Sequence, residues 1–379
     1  MNKLHREGAR VFHRAVDALR APLDALARSA HDRSFEPGTA TLAGERPLTG
    51  KVAVLVTFQP QGVAASVLET CRFLDAAGYA VLLVANAPLS DTDRTRLLPL
   101  CWKVLPRPNR GYDFGGYRDG VRCLRDLLPR LDSLLLVNDS IWLPIVQGPD
   151  MLRGMEDDPS PFCGVALEKR GGKSRGRWHY QSFLLQFKPG ALRSPAFRNY
   201  WQGMRLSDIK RVVLKHGEKG LSQAMFLAGL GGEGPATRSL LLAKLAAQDN
   251  AFLRQTLTYA AYESAPDHAQ GMALLDGFQD TADWRRAALH HMERMLDWLP
   301  FPAVFGFAAL RLQKVAYMKK TSTLHAYNGM RWQYLRAVDA GDLPAPPPDI
   351  LAEIRASRMD PRLTTAPLAQ PRDPGTGLP

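Results

Sequence analysis

Short apolar runs and segments of helical periodicity alternate along the first part of the chain. The apolar runs at 51–58, 80–85, 102–105 and 133–137 predict strands, and the periodic segments at 64–77, 91–100 and 115–128 predict helices. The first run, K-V-A-V-L-V-T-F, is apolar without alternation, which is typical of a strand buried on both faces. This rhythm predicts an α/β fold with a mostly parallel, Rossmann-like sheet flanked by helices.

The remaining segments extend this picture on both sides. Runs at 162–167 and 182–187, joined by a polar loop rich in Gly, Lys and Arg, predict an antiparallel extension of the sheet. Residues 1–35 predict one or two amphipathic helices, and past residue 194 the pattern is almost wholly helical. Four regions are therefore expected: N-terminal helices and a linker at 1–45, the α/β domain at 46–235, a helical C-terminal region at 236–342, and a Pro-rich, disordered tail at 343–379.

Composition and charge narrow the class of partner. The 379 residues carry a formal net charge of +12, which favours an acidic or phosphate-bearing partner or a membrane surface with anionic lipids. Arg residues are dispersed and do not interleave with aromatic residues, so no nucleic acid is expected as a partner. The four cysteines lie far apart, which favours buried thiols in a reducing cytosol. The N-terminus lacks a signal-peptide core and no apolar run reaches about 18 residues, so we expect a cytoplasmic protein without a spanning helix.

Candidate chemistry concentrates between residues 109 and 145. The loop N-R-G-Y-D-F-G-G-Y-R-D-G comes before a predicted helix, and Asp139 stands where the strand at 133–137 stops. Ligands collect at the carboxyl ends of parallel strands, so this arrangement predicts a phosphate-handling α/β enzyme in which Asp139 faces the ligand. The alternative is that Asp139 caps the turn that follows it.

The glycine-rich loop supplies further candidate contacts. Its glycines permit positive φ or a close backbone approach, and exposed amides at the start of the next helix can hold phosphate oxygens or a sugar hydroxyl. Asp113 is expected to accept hydrogen bonds from the sugar or base, and Arg110 or Arg118 to pair with a diphosphate. Asp119 is expected to be a solvated residue on the helix face. The alternative for the whole motif is a plain loop-to-helix turn.

Four sequence blocks then occur in a characteristic order. They are N-R-G-Y-D-F-G-G-Y-R-D-G (109–120), L-L-L-V-N-D-S-I-W-L-P (134–144), F-C-G-V-A (162–166) with H-Y-Q-S-F-L-L-Q-F (179–187), and G-E-K-G-L-S (217–222). With these blocks the chain resembles the rhamnan synthesis F family of glycosyltransferases, whose members help to build rhamnose-containing cell-surface polysaccharides. The resemblance implies that 46–235 is a GT-A-like domain for nucleotide-sugar binding and catalysis.

The resemblance also implies roles for two acidic residues. Asn138-Asp139-Ser140 occupies the place where many GT-A enzymes carry Asp-x-Asp, so Asp139 would bind Mg²⁺ or Mn²⁺, a divalent cation that neutralises the departing nucleoside diphosphate. Glu218 lies three residues before Leu221, the spacing of the general base in a similar segment of family 2 GT-A enzymes. Glu168 is the rival candidate for the base, and the alternative for Glu218 is a helix cap.

The expected donor-binding residues surround these acidic groups. They are Thr57, Asn109, Arg110, Gly111, Asp113, Gly116, Asn138, Asp139, Gln181 and Ser182. Thr57 belongs to the set because GT-A folds usually meet the nucleoside at the end of the first strand. The family favours a nucleotide-sugar donor of the deoxythymidine-diphosphate type, such as dTDP-rhamnose, and transfer with inversion.

One segment in the helical C-terminal region is a candidate for binding to a membrane surface. Residues 296–320 are the most apolar stretch and are edged with Trp, Tyr, Lys and Arg. They either lie in a membrane interface, beside a lipid-linked acceptor, or form a buried helix. The N-terminal amphipathic helices likewise have a purely structural alternative, in which they pack on the core.

The sequence is compatible with two classes of function, an enzyme and a binding protein. The leading hypothesis is an inverting glycosyltransferase, with rhamnose as the favoured sugar, that moves the sugar to a growing surface polysaccharide or a lipid-linked glycan. The alternative is a non-catalytic glycan- or nucleotide-binding protein on a decayed transferase scaffold. The absence of the first Asp of Asp-x-Asp supports that alternative.

Overall fold

The structure is a computed structural model that describes residues 3–169, 178–297, 299–321 and 325–357. Most of the predicted cationic loop, the end of the predicted Pro-rich tail (358–379) and Trp298 lie outside the described residues. The chain divides into two compact units: Met1–Asp139 with Met155–Gly234 forms the first unit, and Ser140–Gly154 with Pro235–Pro379 forms the second. This division lies next to the predicted boundary at 235.

Eleven strands are found in the described residues. They are β1 (Leu42–Ala43), β2 (Lys51–Thr57), β3 (Tyr79–Ala85), β4 (Lys103–Pro106), β5 (Ser133–Asn138), β6 (Ile141–Trp142), β7 (Phe162–Gly164), β8 (Leu167–Lys169), β9 (Trp178–Tyr180), β10 (Leu184–Phe187) and β11 (Met318–Lys319). All but β6 and β11 belong to the first unit.

A seven-stranded sheet in the order β1-β4-β3-β2-β5-β10-β7 forms the centre of the first unit. Strands β4, β3, β2 and β5 are parallel, whereas β10 pairs antiparallel with both β5 and β7. Every residue of β3 and β5 is buried, as the unalternating apolar runs predict. The predicted fold class, an α/β fold with a mostly parallel sheet flanked by helices and a helical C-terminal region, is confirmed.

One part of the predicted sheet differs in detail. The single strand expected at 162–167 ends at Gly164, and Leu167–Lys169 instead pairs with Trp178–Tyr180 in a separate two-stranded sheet. The ring of Tyr180 packs against Gly164 so closely that a Cβ there would lie 2.8 Å from it. The chain leaves the main sheet after Gly164, where only a residue without a side chain fits beside this ring.

Ten helices are found among the described residues up to 234. They are α1 (Lys3–Ser34), α2 (Pro37–Ala40), α3 (Ala65–Ala76), α4 (Asp91–Leu97), α5 (Tyr112–Cys123), α6 (Asp150–Asp157), α7 (Pro189–Leu192), α8 (Pro195–Gly203), α9 (Lys210–Val212) and α10 (Gly220–Leu227). Short 3₁₀ turns follow at Leu98–Leu100 and Leu128–Arg130, and a π-helical segment, Val213–Lys219, joins α9 to α10.

The second unit is built mainly from helices. They are α11 (Arg238–Ala246), α12 (Asn250–Thr258), α13 (Ala265–Asp276), α14 (Ala282–Met295), α15 (Phe301–Val304), α16 (Gly306–Gln313), α17 (His325–Asp339) and α18 (Pro348–Ala356). Strands β6 and β11 form a small antiparallel pair beside them. None of the described helices has the length and apolar character that crossing a membrane requires.

Burial bears on two expectations for this unit. Of the two alternatives for 296–320, the structure supports a buried segment, because the aromatic and aliphatic residues of 301–310 and 315–318 are buried in the unit. The region assigned to a disordered tail begins with α18, whose Ile350 and Ile354 are fully buried in the same apolar cluster as Trp142. The prolines just before this helix led to a prediction of disorder, although Ile350 and Ile354 have the helical spacing of a buried face.

Candidate active site

The start of α5 is set by backbone conformation and close packing. Gly111, just before the helix, has a φ of +76°, a backbone conformation that residues with a Cβ rarely adopt. Its amide donates a 2.7 Å hydrogen bond to Asp208 Oδ1. Further along α5, a Cβ at Gly116 would lie 2.7 Å from Val56 of β2. Helix and sheet thus approach so closely that the first turn of α5 lies at the carboxyl edge of the parallel strands.

Asp113, in that first turn, meets the end of β5. Asn138 Nδ2 donates a 3.0 Å hydrogen bond to Asp113 Oδ2. Burial, together with the negative charges of Asp139 and Glu218, raises the pKa of Asp113 to about 6. Asp113, Asp139 and Glu218 therefore lie within electrostatic reach of one another, and we call them the acidic cluster.

Asp139 follows β5 directly and joins it to the end of β2. Its Oδ2 accepts hydrogen bonds from the Phe58 amide (2.9 Å) and from Gln59 Nε2 (2.6 Å). The structure brings together residues 80 positions apart because β2 and β5 are parallel neighbours, with Val56 paired to Asn138. In place of a cap on its own turn, Asp139 caps the loop after β2. Its Oδ1 accepts no hydrogen bond from the part of the chain that the structure describes.

Glu218 lies in the π-helical segment Val213–Lys219. Single π-helical turns inside helices occur frequently at functional sites. Glu218 Oε2 accepts two hydrogen bonds from Ser182, one from the amide (3.1 Å) and one from Oγ (3.0 Å). The hydroxyl of Tyr200 donates to the backbone carbonyls of His216 and Gly217, which steadies the altered helical turn. The Glu218 side chain remains 18% exposed, so its carboxylate is held in place yet open to a ligand.

Glu168, the rival base, lies beside Glu218. His179 Nε2 is 3.8 Å from Glu168 Oε2 and 3.8 Å from Glu218 Oε1. Gln181 Nε2 donates a 2.9 Å hydrogen bond to Glu168 Oε1. The two carboxylates proposed as alternatives from the sequence thus lie near the same buried imidazole.

The other predicted donor-binding residues divide into two groups. Asn109 lines an open depression of about 520 Å³, together with Phe58, Pro88 and other residues at the ends of β2, β3 and β4. We call this the Phe58 depression, since the Phe58 ring is 49% exposed within it. Arg110 is half-exposed next to Asp208. By contrast, Thr57 is buried and Gly116 packs against β2, so neither residue faces the depression.

The expectations for Asp119 and Arg118 are wrong. Asp119 is fully buried and accepts from Arg107 Nε (2.7 Å) and contacts His31 Nε2 (2.9 Å). Although burial raises its pKa, the hydrogen bond from His31 and the charge of Arg107 leave the pKa of Asp119 below its usual value. Arg118 binds both oxygens of Asp32 at 2.7 Å and is itself buried. These two residues hold α1 on α5 and are not available to a diphosphate.

Sequence reasoning missed residues that hold the loops of the candidate site in place without being part of it. Arg107 Nη1 donates to Asn86 Oδ1 (2.6 Å) and Arg107 Nη2 to the Arg110 carbonyl (2.8 Å), which shapes the glycine-rich loop. Tyr117 donates a 2.8 Å hydrogen bond to the Ser182 carbonyl and so links α5 to the segment that holds Glu218. The sequence carries no signal for these contacts, because Arg107 and Tyr117 lie among Pro, Gly and charged residues and their partners are distant or in the backbone.

The acidic cluster fits a divalent cation that arrives with a phosphate ligand. Within the described ranges no group of three or more His, Cys, Asp or Glu residues is arranged to hold a metal ion by itself. Mg²⁺ and Mn²⁺ commonly take only one or two carboxylates and complete their shell with substrate phosphates. Asp139 offers one such oxygen, and the charges of Asp139 and Glu218, which add to the effect of burial on the pKa of Asp113, make this edge negative.

Fold and geometry together define the class: an α/β protein with a carboxylate-lined candidate site at the carboxyl edge of parallel strands. Residues 81–230 match the family model of Rhamnan synthesis protein F, and the sequence-based resemblance is thereby confirmed over this stretch. The matched region contains Asp113, Asp139, Glu168 and Glu218.

Curated relatives and solved structures add two further comparisons. An uncharacterized protein, y4gN, of Sinorhizobium fredii (strain NBRC 101917 / NGR234) is 31% identical over 54% of this chain and 53% of its own length. Virulence protein VirA of Vibrio anguillarum (strain ATCC 68554 / 775) is 27% identical over 51% of this chain and 59% of its own. The chain thus spans a little over half the length of these relatives.

Among solved structures, Core-mannan synthase A from Aspergillus fumigatus, in an Mn/GDP form, is 9% identical with a TM-score of 0.32, and covers 53% of this chain and 76% of its own. The mannosyltransferase Ktr4p from S. cerevisiae is 11% identical with a TM-score of 0.24, and covers 48% and 65%.

Proposed function

We propose that this protein is a glycosyltransferase that moves a sugar with inversion from a nucleotide-sugar donor to a growing surface polysaccharide or a lipid-linked glycan. The observation that carries the proposal is the convergence of Asp113, Asp139 and Glu218 at the carboxyl edge of the sheet, next to the Phe58 depression. The match of residues 81–230 to the family model of Rhamnan synthesis protein F supports it, and favours rhamnose as the sugar and dTDP-rhamnose as the donor.

Glu218 is the proposed general base. Ser182 occupies Glu218 Oε2 with two hydrogen bonds, so Oε1 is the oxygen that faces an incoming hydroxyl. The acceptor hydroxyl oxygen attacks the anomeric carbon, the bond from that carbon to the diphosphate oxygen breaks, and the hydroxyl proton passes to Glu218. A carboxylate positioned in this way contributes typically about 10²–10⁴-fold to the rate.

Asp139 is the proposed protein ligand of a divalent cation. A bound Mg²⁺ or Mn²⁺ would neutralise the negative charge that develops on the leaving diphosphate. Without it the acidic cluster would repel a diphosphate, because Asp113, Asp139 and Glu218 all carry negative charge when ionised. The Phe58 amide and Gln59 hold Asp139 Oδ2, which leaves Oδ1 for the cation.

The Phe58 depression is the proposed place for the nucleoside. An exposed aromatic ring offers a stacking surface for a base, and Asn109 offers hydrogen-bonding groups. Asp139 Oδ2 accepts from the amide of Phe58, so a base on that ring would place its diphosphate towards the acidic cluster.

The experiment is a comparison of carboxylate-to-amide variants in donor hydrolysis and sugar transfer, with and without Mn²⁺. We expect Glu218→Gln to lower turnover by about 10²-fold or more while donor affinity changes little. Glu168→Gln should retain most turnover, and Glu45→Gln, at an exposed loop position, is the matched control. If Glu168→Gln is the inactive variant, the base is misassigned. Donor binding without turnover by the wild type under every condition would instead identify a binding protein on a transferase scaffold.

A further inference from the structure

Helix α1 is fastened to the first unit by its polar face. The charged contacts of this face are His31 with Asp119, Asp32 with Arg118 and Arg122, Asp24 with Arg205, and Arg28 with the backbone carbonyls of Gln202 and Met204. Asp24, Arg28, His31 and Asp32 recur at helical spacing, so they share one side of α1. The inward side of this helix is therefore built from ion pairs and hydrogen bonds.

The opposite face of α1 is apolar and points outward. Leu19, Leu23 and Leu26 are 77%, 61% and 66% exposed, and their spacing of four and three residues places them in one stripe. In the sequence the same spacing continues upstream through Phe12 and Val16. A surface helix of a globular protein normally turns its apolar stripe to the core. Here the orientation is reversed.

The charges around this stripe are of one sign. Between residues 19 and 34 the exposed charged side chains are Arg20 and Arg33, because both acidic residues there, Asp24 and Asp32, are engaged in ion pairs with the body of the unit. Over its whole length α1 has seven Lys and Arg residues against four Asp and Glu. An apolar stripe bordered by cations fits a surface that offers hydrocarbon and negative charge together.

We propose that α1 lies flat on a bilayer surface that contains anionic lipids, with Leu19, Leu23 and Leu26 inserted among the acyl chains and Arg20 and Arg33 at the headgroups. Interfacial helices bind in this way through buried apolar area plus attraction to anionic lipid. A second copy of α1 fits less well, since two such faces would bring arginines of the same sign together, and Pro22 borders the stripe. The segment 296–320 is excluded from this role by its burial.

The attachment of α1 connects this surface to the candidate site. Asp32 and His31 are paired with α5, the helix whose first turn carries Asp113. If the proposed function holds, docking of α1 would keep the acidic cluster close to a lipid-linked acceptor. The lipid interaction itself does not depend on catalysis and is measured without a donor.

The test is co-sedimentation of the full chain with vesicles of phosphatidylcholine alone and of phosphatidylcholine with phosphatidylglycerol. We expect binding to the anionic vesicles that weakens with salt. The triple variant Leu19→Ser, Leu23→Ser, Leu26→Ser should bind at least about tenfold more weakly. Its matched control carries Leu48→Ser, Leu227→Ser and Leu240→Ser, three exposed leucines elsewhere, and should bind like the wild type. Arg20→Gln with Arg33→Gln should weaken binding by roughly tenfold.

Two further measurements separate the outcomes. Thermal unfolding midpoints of the triple variant and its control should match the wild type, because the substituted side chains are exposed. Leu23→Trp should show a blue-shifted emission with anionic vesicles. The proposal is overturned if the wild type does not bind anionic vesicles, if it binds neutral ones equally, or if the triple variant binds as tightly. A wild-type dimer that the triple variant converts to a monomer would assign this face to self-association instead.

Discussion

Asn138 donates a 3.0 Å hydrogen bond from Nδ2 to Oδ2 of Asp113, and this contact joins the last residue of β5 to the first turn of α5. It places a buried carboxyl group beside two other carboxylates, and burial together with the charges of Asp139 and Glu218 raises the pKa of Asp113 to about 6. A protein gains no stability from such an arrangement when the group is ionised. An ionisable group kept at the expense of stability is characteristic of a functional site.

The substitution Asp113→Asn should therefore stabilise the protein at pH 8. An unfolded chain releases the Asp113 proton near pH 3.8, whereas the folded protein keeps it until about pH 6. Stability is thus lost as the pH rises through this window, by up to about 3 kcal/mol, and stays lower above it. The variant removes that loss, so its free energy of unfolding in urea should exceed that of the wild type at pH 8 but not at pH 4.

The control for this prediction is Asp126→Asn, because Asp126 is an exposed carboxylate in the same unit. Its effect should be small at either pH. Donor hydrolysis by Asp113→Asn should fall although the protein is more stable. Equal stability of Asp113→Asn and wild type at both pH values would show that this carboxyl group is adequately solvated.

The substitution Ser182→Ala should lower turnover more than donor affinity. It removes the 3.0 Å hydrogen bond from Ser182 Oγ to Glu218 but leaves the hydrogen bond from the Ser182 backbone amide in place. The carboxylate therefore keeps its charge but loses part of its orientation. We expect kcat to fall roughly tenfold with little change in the donor KM, since misplacement of a reacting group is costly. Steady-state kinetics check this, with Ser239→Ala, an exposed serine of α11, as control. A change confined to KM would place Ser182 in donor binding.

The sequence was sufficient to predict the parallel part of the sheet and to assign the candidate site to its carboxyl edge. Unalternating apolar runs identified β2, β3 and β5, and the parallel arrangement follows from the helices between them. Once these strands are adjacent, the residues after them share one edge, which is why Asp139 could be assigned to a site before its contacts with Phe58 and Gln59 were known.

Contacts between distant segments were beyond reach. Asp119 was expected in solvent as a residue of the helix face, yet its partner His31 lies 88 positions away on α1. Periodicity also shows that α1 is amphipathic without showing which face meets the protein. Here buried ion pairs, which depend on matching charges in three dimensions, orient the helix against the usual rule.

The substitution Gly116→Ala should destabilise the first unit. A Cβ at this position would lie 2.7 Å from Val56 Cγ1, so α5 or β2 must shift, and overpacking of this kind costs about 1–3 kcal/mol. Gly203→Ala is the matched control, since Gly203 also lies in a helix and a Cβ there meets no atom within 4 Å. Chemical unfolding should show a loss for Gly116→Ala and none for Gly203→Ala. Equal midpoints would mean that α5 can move away from the sheet without penalty.

A buried histidine of the second unit should make stability dependent on acid. His291 is fully buried, its Nε2 has no partner among the described residues, and burial together with the nearby Arg294 lowers its pKa to about 4. The unfolded chain takes up this proton near pH 6.5 and the folded protein only near 4, so stability is complete above pH 6.5 and falls as the pH drops towards 4, by on the order of 3 kcal/mol. His291→Phe should therefore lose less stability than the wild type between pH 7.5 and pH 4.5 in urea unfolding, whereas His290→Phe, at an exposed position, should follow the wild type. Parallel losses in all three proteins would show that His291 is protonated in the folded state.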